Sequence, residues 1–320
     1  MPDGDGRTVT LAVAAMNAVH DIERNLAKYA AFVHEAATKR ARLLVLPEQS
    51  LQGYLFHLNH ELAADEANYL YDTAEPVPGP ATERVAAMAR ESGMYVVFGM
   101  TERVAVSSSG VLYNSAVVVG PDGLLGVYRK VHAPGDEYHI FRQGREWPVF
   151  ETEIGRLGIQ ICYDLRFPEA SRELALRGAD ALVLPTAWPK QTGFMYDMLD
   201  RARAAENECW FLSANQVGAC DQGLLTFYGH SRIIDPFGNV LADTGEDEGV
   251  AVAEVPVASL RRRQWGSMNI FRDRRPETYG SLADEEIYYA TGAVHPDKAA
   301  SRKREPKSTS RRRNPRTRQS

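Results

Sequence analysis

Three reactive side chains stand at the ends of apolar runs that are typical of buried strands, namely Glu48, Lys130 and Cys162. Strand ends in α/β folds are rigid and face clefts, so sites are often built there. A cysteine becomes a nucleophile when a base takes the thiol proton or a cation lowers the pKa of the thiol. Glu48 could supply the base, and Lys130 could supply the cation and stabilise an oxyanion. This set is suited to acyl transfer from an amide.

Each of these residues also has an ordinary structural explanation. A cysteine is often a small buried apolar residue, a glutamate at a strand end is often solvated, and Lys130 adjoins Arg129 as in an exposed charged edge. Composition and periodicity alone do not bring the three together in space. Cys209 and Cys220 lack a comparable context, so we expect them to be inert thiols.

Short apolar runs alternate with amphipathic helices along the chain, which predicts an α/β fold with helices covering the sheets. The elements predicted in the first half are strands over Thr8–Val13, Leu43–Leu46 and Tyr95–Phe98, helices over Asp21–Arg40 and Ala81–Arg90, and a hairpin of Ser115–Val119 with Leu124–Tyr128. Those predicted in the second half are strands over Leu157–Ile161, Ala181–Leu184, Trp210–Ala214 and Gly249–Val255, helices over Pro168–Arg177 and Tyr196–Asn207, and a hairpin of Arg232–Ile234 with Val240–Ala242. Both halves therefore follow the pattern β-α-β-α-β and then a hairpin.

The composition is that of a globular protein, with 320 residues of which 44% are hydrophobic and 25% charged. Three cysteines cannot form a disulfide framework, and their spacing does not indicate a zinc site. The chain has neither a secretory signal nor an apolar run of about 18 residues that would cross a membrane. We therefore expect a cytoplasmic protein.

The net charge of −5 conceals a division of the chain. Residues 298–320 contain ten Lys and Arg and one acid, so this segment carries +9 and residues 1–297 carry −14. We predict one domain over 1–297 with a C-terminal extension from about residue 261, followed by a disordered basic tail over 298–320. An acidic body is a poor nucleic-acid surface. The tail could be a solubilising extension, a weak tether to an acidic partner or a nucleic-acid contact.

Five segments, in this order, resemble the nitrilase superfamily of carbon–nitrogen hydrolases. They are Leu46–Glu48, Tyr128–His132, Gly158–Glu169, Gly178–Pro189 and Arg201–Asn207. The resemblance extends roughly from Val9 to Val257. It implies a four-layer α-β-β-α sandwich, a homodimer or larger homo-oligomer, and no metal or organic cofactor.

The resemblance also implies roles for individual residues. Glu48, Lys130 and Cys162 match the catalytic triad of the family, and Glu137 matches a second glutamate after the lysine. The residues that match pocket segments are Tyr54, Tyr163, Arg166, Trp188 and Phe194. Arg166 could bind a substrate carboxylate or form a salt bridge to a nearby acid such as Glu169.

The residues after the nucleophile favour an amidase. Relatives that cleave nitriles usually have Cys-Trp-Glu, whereas Cys162-Tyr163-Asp164 resembles omega-amidases and related small-amide hydrolases. We therefore expect an enzyme that hydrolyses a small linear carboxamide to a carboxylate and ammonia through a thioester. An N-carbamoyl amino acid or N-carbamoyl amine is the alternative substrate. An interaction protein without catalytic activity is the alternative of another class.

Overall fold

A computed structural model describes most of the chain, and it divides the chain into two compact units, Met1–Asn269 and Ile270–Ser320. The described residues are 8–55, 64–106, 109–135, 137–220, 223–256 and 269–283. Of the second unit, the described part contains a short helix and two 3-10 turns. The basic tail over 298–320, and most of the extension predicted from residue 261, lie outside the described residues. The predicted domain boundaries therefore stay predictions.

Strands and helices alternate through the first unit. Its first half contains β1 (Thr8–Ala15), α1 (Ile22–Thr38), β2 (Ala41–Val45), α2 (Ala64–Thr73), α3 (Pro80–Ser92), β3 (Tyr95–Val106), β4 (Ser109–Gly120), β5 (Gly123–Arg129) and α4 (Glu137–Ile140). Its second half contains β6 (Val149–Thr152), β7 (Gly155–Ile159), α5 (Pro168–Leu176), β8 (Ala181–Thr186), α6 (Gly193–Asn207), β9 (Trp210–Asn215), β10 (Val217–Ala219), β11 (Thr226–Tyr228), β12 (Arg232–Ile234), β13 (Val240–Asp243) and β14 (Gly249–Pro256). The second unit contributes α7 (Ile270–Asp273).

Two six-stranded sheets form the centre of the first unit. The first sheet has the order β14-β1-β2-β3-β4-β5, and the second has the order β13-β12-β9-β8-β7-β6. Strands β1 and β2 of the first sheet contact β9 of the second, while α1 and α3 pack on the first sheet and α5 and α6 on the second. The predicted four-layer α-β-β-α sandwich is confirmed.

Local sequence explains most of these elements. The apolar residues of α1 recur at helical spacing and are buried in the core, as predicted. The side chain of Asp21 accepts a hydrogen bond from the backbone N–H of Arg24 at 3.0 Å, which caps the helix at its start. Helix α3 ends at Gly93, whose φ of +64° is a left-handed conformation that glycine adopts without strain.

Two features of the sheets differ from the prediction. Strands β3 and β4 are each 12 residues long because they stay paired from Val96↔Val119 to Val106↔Ser109, beyond the apolar runs that predicted them. Strand β14 pairs antiparallel with β1, so the last strand of the second half completes the first sheet. Neither pairing is visible in local hydrophobic patterns, because both depend on a partner strand.

Candidate active site

The ends of three strands bring the predicted catalytic residues together. Glu48 lies three residues after the end of β2, Lys130 directly follows β5, and Cys162 lies three residues after the end of β7. The first two strands belong to one sheet and the third to the other. Lys130 Nζ lies 2.7 Å from Glu48 Oε1, and the charges of both residues act on the Cys162 thiol. The structure thus joins residues that the sequence presents separately.

The backbone around Glu48 is held by both sheets. The Gly99 N–H donates to the Pro47 carbonyl at 3.1 Å, and a Cβ on Gly99 would lie 2.5 Å from that oxygen. Glycine at position 99 therefore allows β3 to approach the turn that carries Glu48. From the second sheet, the Gln216 side chain donates to the Glu48 carbonyl at 2.9 Å. These contacts orient Glu48, which is fully buried.

Lys130 is an ammonium group between two carboxylates. Its Nζ donates to Glu48 Oε1 at 2.7 Å and to Glu137 Oε2 at 2.8 Å, and its side chain is 2% exposed. Burial alone would lower the pKa of Lys130, but the charges of Glu137 and Glu48 outweigh burial and raise this pKa well above its usual value. Lys130 is therefore a permanent cation at the site.

Glu137 begins α4 and completes the cluster of charges. Burial raises the pKa of Glu137, and the Glu48 charge adds to this rise, while Lys130 opposes it. Tyr54 also holds this carboxylate, because its hydroxyl donates to Glu137 Oε1 at 2.9 Å. Glu137 thus contacts Lys130 directly, at the position where sequence analysis expected a second glutamate.

Cys162 lies at a sharp turn between β7 and a 3-10 helix over Cys162–Arg166. Its φ of +44° is in the left-handed region, which is uncommon for residues other than glycine. Burial and the Glu48 charge raise the pKa of the Cys162 thiol, and Lys130 opposes this rise only in part. Lys130 lowers the pKa of the thiol as expected, but burial of the sulfur and the Glu48 charge outweigh this effect, so the pKa is raised overall. The thiol is protonated at neutral pH and needs a base.

Asp164 links the turn that carries Cys162 to the segment that carries Lys130. Its Oδ2 accepts from the Ile161 N–H at 2.8 Å and from the Tyr128 hydroxyl at 2.7 Å. Its Oδ1 accepts from the His132 N–H at 3.0 Å and lies 2.7 Å from His132 Nδ1. Sequence analysis used Asp164 only as a family marker, and the structure shows that this buried carboxylate connects the segments that carry Lys130 and Cys162.

A mostly apolar cavity of about 230 Å³ opens beside the nucleophile. Its lining includes Cys162, Glu137 and four of the five predicted pocket residues, which are Tyr54, Tyr163, Arg166 and Trp188. Phe194, the fifth, is not among the lining residues and is 69% exposed at the start of α6. Apolar lining residues that sequence analysis missed are Leu55, Ile140, Phe141, Ala187 and Leu225.

Arg166 supplies a positive charge to this cavity. Its guanidinium carbon lies 5.9 Å from the centre of the Tyr163 ring. Among the described residues Arg166 has no ion pair, so the salt bridge to Glu169 that sequence analysis left open is not formed there. Trp188, another lining residue, is oriented by its ring N–H, which donates to the Thr192 carbonyl at 3.0 Å.

Asn114 is a further site residue that sequence analysis missed. Its Nδ2 lies 2.7 Å from Glu48 Oε1 and 3.4 Å from Glu137 Oε2. The hairpin pattern contained a signal for it, because the turn after β4 sets a register in which Ser115 faces Arg129 and Asn114 therefore adjoins Lys130. Within the part of the chain that the structure describes, no cluster of three or more potential metal ligands occurs.

The model of the carbon–nitrogen hydrolase family matches residues 10–264. The chain belongs to this family. It is 34% identical over 268 residues to a probable nitrilase of Schizosaccharomyces pombe, covering 82% of this chain and 94% of the relative. It is also 32% identical over 267 residues to human omega-amidase NIT2, covering 80% of this chain and 91% of the relative.

Solved structures of amidases share the fold of this carbon–nitrogen hydrolase. The NitN amidase of Nesterenkonia sp. AN1 is 26% identical with a TM-score of 0.71, covering 86% of this chain and 99% of that one. In another structure of that amidase (25% identical, TM-score 0.69), the acetamide moiety of fluoroacetamide is bonded to the active-site cysteine. The chain is therefore an enzyme of the amidase type, and the alternative of a non-catalytic interaction protein is not supported.

Proposed function

We propose that this carbon–nitrogen hydrolase cleaves a small linear carboxamide to a carboxylate and ammonia through a thioester on Cys162. One observation carries the proposal. Glu48 has one oxygen bound to Lys130, while its Oε2 is buried without a hydrogen-bond partner among the described residues. A buried acceptor of this kind is ready to take a proton, and the Cys162 thiol beside the cluster needs a base.

In the first half of the reaction, Glu48 Oε2 takes the thiol proton while Cys162 Sγ bonds to the carbonyl carbon of the substrate. The carbonyl oxygen becomes an oxyanion near the Lys130 ammonium and the backbone N–H of Tyr163. The Tyr163 N–H belongs to the first turn of the 3-10 helix, where backbone N–H groups have no acceptor within the helix. The carbon–nitrogen bond then breaks, and ammonia leaves with the proton that Glu48 carried.

In the second half, a water molecule attacks the carbonyl carbon of the thioester. Glu48 takes a proton from this water, and the tetrahedral intermediate is stabilised by the same two donors. The carbon–sulfur bond breaks, the proton on Glu48 returns to the Cys162 thiolate, and the carboxylic acid product leaves and ionises, its proton being taken up by the released ammonia. Glu137 holds Lys130 in place through both steps, and Tyr54 holds Glu137.

The cavity supports a small substrate that carries a carboxylate. Arg166 is an exposed cation that contributes to the lining of the mostly apolar cavity and has no ion pair among the described residues, so a substrate carboxylate is a suitable partner. Tyr54, Tyr163 and Trp188 line the same cavity as this cation and Cys162. The name of the human relative, omega-amidase, favours an amide over the alternative N-carbamoyl substrate.

The predicted homo-oligomer and cytoplasmic location remain part of this proposal. Among the described helices none is long and apolar enough to cross a membrane. Phe194 and Met198 are one helical turn apart on α6 and are 69% and 58% exposed, which is an apolar surface suited to a second copy of the chain. Analytical ultracentrifugation of the purified protein tests this prediction, and a monomer at micromolar concentration would contradict it.

The proposed reaction is tested by ammonia release from matched panels of short amides, N-carbamoyl amino acids and nitriles, each with and without a terminal carboxylate. We expect the highest kcat/KM with a carboxylate-bearing amide, and turnover of carbamoyl compounds alone would establish the alternative. Cys162→Ala should lower kcat by at least about 10⁴-fold, because no other nucleophile is in place. Cys209→Ala, which removes a buried thiol elsewhere, is the matched control and should retain kcat.

A further inference from the structure

Asn114 is a buried amide that contacts the same two carboxylates as Lys130. Its side chain donates to Glu48 Oε1 at 2.7 Å and to Glu137 Oε2 at 3.4 Å, and the residue is 1% exposed. Its backbone carbonyl also accepts from the Lys130 N–H at 2.9 Å. One residue of β4 therefore contacts every charged member of the cluster.

The orientation of the Asn114 amide follows from its neighbours. Ionised carboxylate oxygens only accept hydrogen bonds, so the NH₂ group of the amide must face them. As a result Asn114 Oδ1 is buried without a partner among the described residues. An unpaired buried acceptor costs free energy, and an apolar side chain of similar size would avoid that cost. The unpaired Oδ1 is therefore accepted for the sake of the hydrogen bonds that the NH₂ group donates to Glu48 and Glu137.

Asn114 and Lys130 donate to the same oxygen of Glu48. Both hydrogen bonds, each 2.7 Å long, end on Oε1. The other oxygen, Oε2, has no donor among the described residues. Two donors on one oxygen restrict rotation of the carboxylate, so Oε2 is the oxygen left to accept a proton.

We propose that Asn114 is a positioning residue that fixes the orientation of the Glu48 carboxylate and holds its Oε2 ready for the proton of the Cys162 thiol. The proposal rests on the proposed function only in taking Glu48 as the base. Lys130 offsets the negative charge of both carboxylates. Asn114 is neutral, so it orients Glu48 through a hydrogen bond without changing the charge of the cluster. An ammonium can donate to either oxygen as it moves, but a neutral amide fixed on a strand donates along one direction.

The first test is the kinetics of Asn114→Leu, which keeps the approximate size of the side chain and removes the donor. We expect kcat to fall by about 10- to 100-fold with little change in KM, as for loss of a hydrogen bond to a charged group. The acidic limb of the pH profile of kcat/KM should move to higher pH, because the carboxylate form of Glu48 has lost a donor. A purely structural role would not move this limb.

Asn207→Leu is the matched control. Asn207 is also fully buried, donates to the Arg203 carbonyl at 2.9 Å, and has an Oδ1 without a partner among the described residues. It lies at the end of α6 and contacts none of the catalytic groups described above. We expect this variant to retain kcat and the wild-type pH profile. An equal loss of kcat in both variants, or an unchanged kcat and pH profile in Asn114→Leu, would overturn the proposal.

The second test does not depend on the substrate. Alkylation of Cys162 by iodoacetamide, followed by mass spectrometry, requires loss of the thiol proton. We expect slower alkylation in Asn114→Leu than in the wild type and in Asn207→Leu, and equal rates would overturn the positioning role. Because it needs no substrate, this comparison tests the positioning role of Asn114 even if no amide in the panel is hydrolysed. If Asn114→Leu fails to fold, Asn114→Ser, which also removes the amide donor, takes its place with the same expected results.

Discussion

The molecule contains two clusters in which one buried cation faces several carboxylates. The lysine cluster consists of Glu48, Lys130 and Glu137. The arginine cluster consists of Asp197, Asp200, Arg232 and Asp243. Both combine opposite charges at hydrogen-bond distance, and the carboxylates outnumber the cation in each. They differ in the number of carboxylates that the cation binds, in whether a carboxylate oxygen remains without a partner, and in whether the cluster adjoins a cavity.

The arginine cluster joins α6 to the edge of the second sheet. Arg232 of β12 lies 2.6 Å from Asp197 and 3.2 Å from Asp200, both on α6, and 2.8 Å from Asp243 on β13. A guanidinium has five donors in a fixed plane, so a single side chain can connect three carboxylates. Asp243 also accepts from the Gly245 N–H at 2.7 Å. Such a set of contacts is typical of a structural role.

The lysine cluster leaves its key oxygen unpaired. Lys130 Nζ contacts one oxygen of Glu48 and one of Glu137, while Glu48 Oε2 has no partner among the described residues. Glu137 lines the cavity, so this cluster adjoins the space that receives a substrate. A charge cluster therefore suits proton transfer when an acceptor is left free beside a reactive group, whereas burial of charges by itself does not indicate catalysis.

The largest expected difference between the clusters is in activity. Glu48→Gln should lower kcat by about 10³- to 10⁴-fold because the site loses its base, whereas Asp200→Asn should retain kcat. Both substitutions keep the shape of the side chain. Ammonia release under saturating substrate measures the effect, with circular dichroism to confirm folding. A large loss of kcat in Asp200→Asn would show that the arginine cluster also serves the reaction.

The next difference concerns the cations. Lys130→Met leaves two mostly buried carboxylates without their cation and should lower the free energy of unfolding by about 3 to 5 kcal/mol. Arg232→Met should lower it by less, because only Asp200 among the three partners of Arg232 is buried. Only Lys130→Met should also abolish turnover, because Arg232 contacts none of the catalytic groups. Urea unfolding and ammonia release, measured on the same preparations, separate the two effects.

A surface ion pair provides the control for this comparison. Lys28 lies 2.7 Å from Glu248, and their side chains are 28% and 41% exposed. Lys28→Met should lower the free energy of unfolding by less than about 1 kcal/mol, because solvent screens the pair. A loss in Lys28→Met as large as that in Arg232→Met would contradict the argument from burial.

A further expected effect is the pH dependence of stability from the arginine cluster. Burial raises the pKa of Asp200 to about 7, although Arg232 opposes this rise. Aspartate in an unfolded chain has a pKa near 4, so between about pH 4 and pH 7 the folded state binds the extra proton. The stabilisation from this group is therefore complete below pH 4 and is lost as the pH rises to 7, by up to about 1.4 kcal/mol per pH unit.

Urea unfolding of the wild type and of Asp200→Asn at several pH values from 5 to 8 measures this contribution. Asparagine does not titrate, so the difference between the two proteins should change with pH in the stated direction. A difference that is constant over this range would mean that Asp200 is ionised throughout in the folded protein.

Sequence patterns predicted much of the fold. Helix α1 over Ile22–Thr38 matches its prediction because a buried helix face requires apolar residues at regular spacing. The extension of β3 beyond Phe98 was not predicted, because residues such as Thr101 are polar and their strand conformation depends on pairing with β4. The same reason hid Asn114, which is an unremarkable polar residue until the hairpin register places it beside Lys130.

Local sequence patterns identified the predicted catalytic residues, but they could not predict the pKa values and contacts on which the reactivity of these residues depends. A strand end followed by Glu48, Lys130 or Cys162 can be recognised within a few residues. The raised pKa of the Cys162 thiol could not be predicted, because it depends on how deeply the sulfur is buried and on charges from another sheet. A local match can also mislead. The segment of Phe194 matches a pocket segment of the family, but its side chain is exposed and does not line the cavity.

The sequence by itself determined which reactive groups this protein has, at which strand ends they lie, and that its family is one of carbon–nitrogen hydrolases. Only the tertiary structure decided that Glu48 and Lys130, 82 positions apart, are in contact, and that Glu48 keeps one oxygen unpaired. The physical reason is the distance along the chain over which each kind of information acts. Periodicity and turn signals act over a few residues, whereas electrostatic interactions and burial depend on distances in space that the packing of two sheets creates.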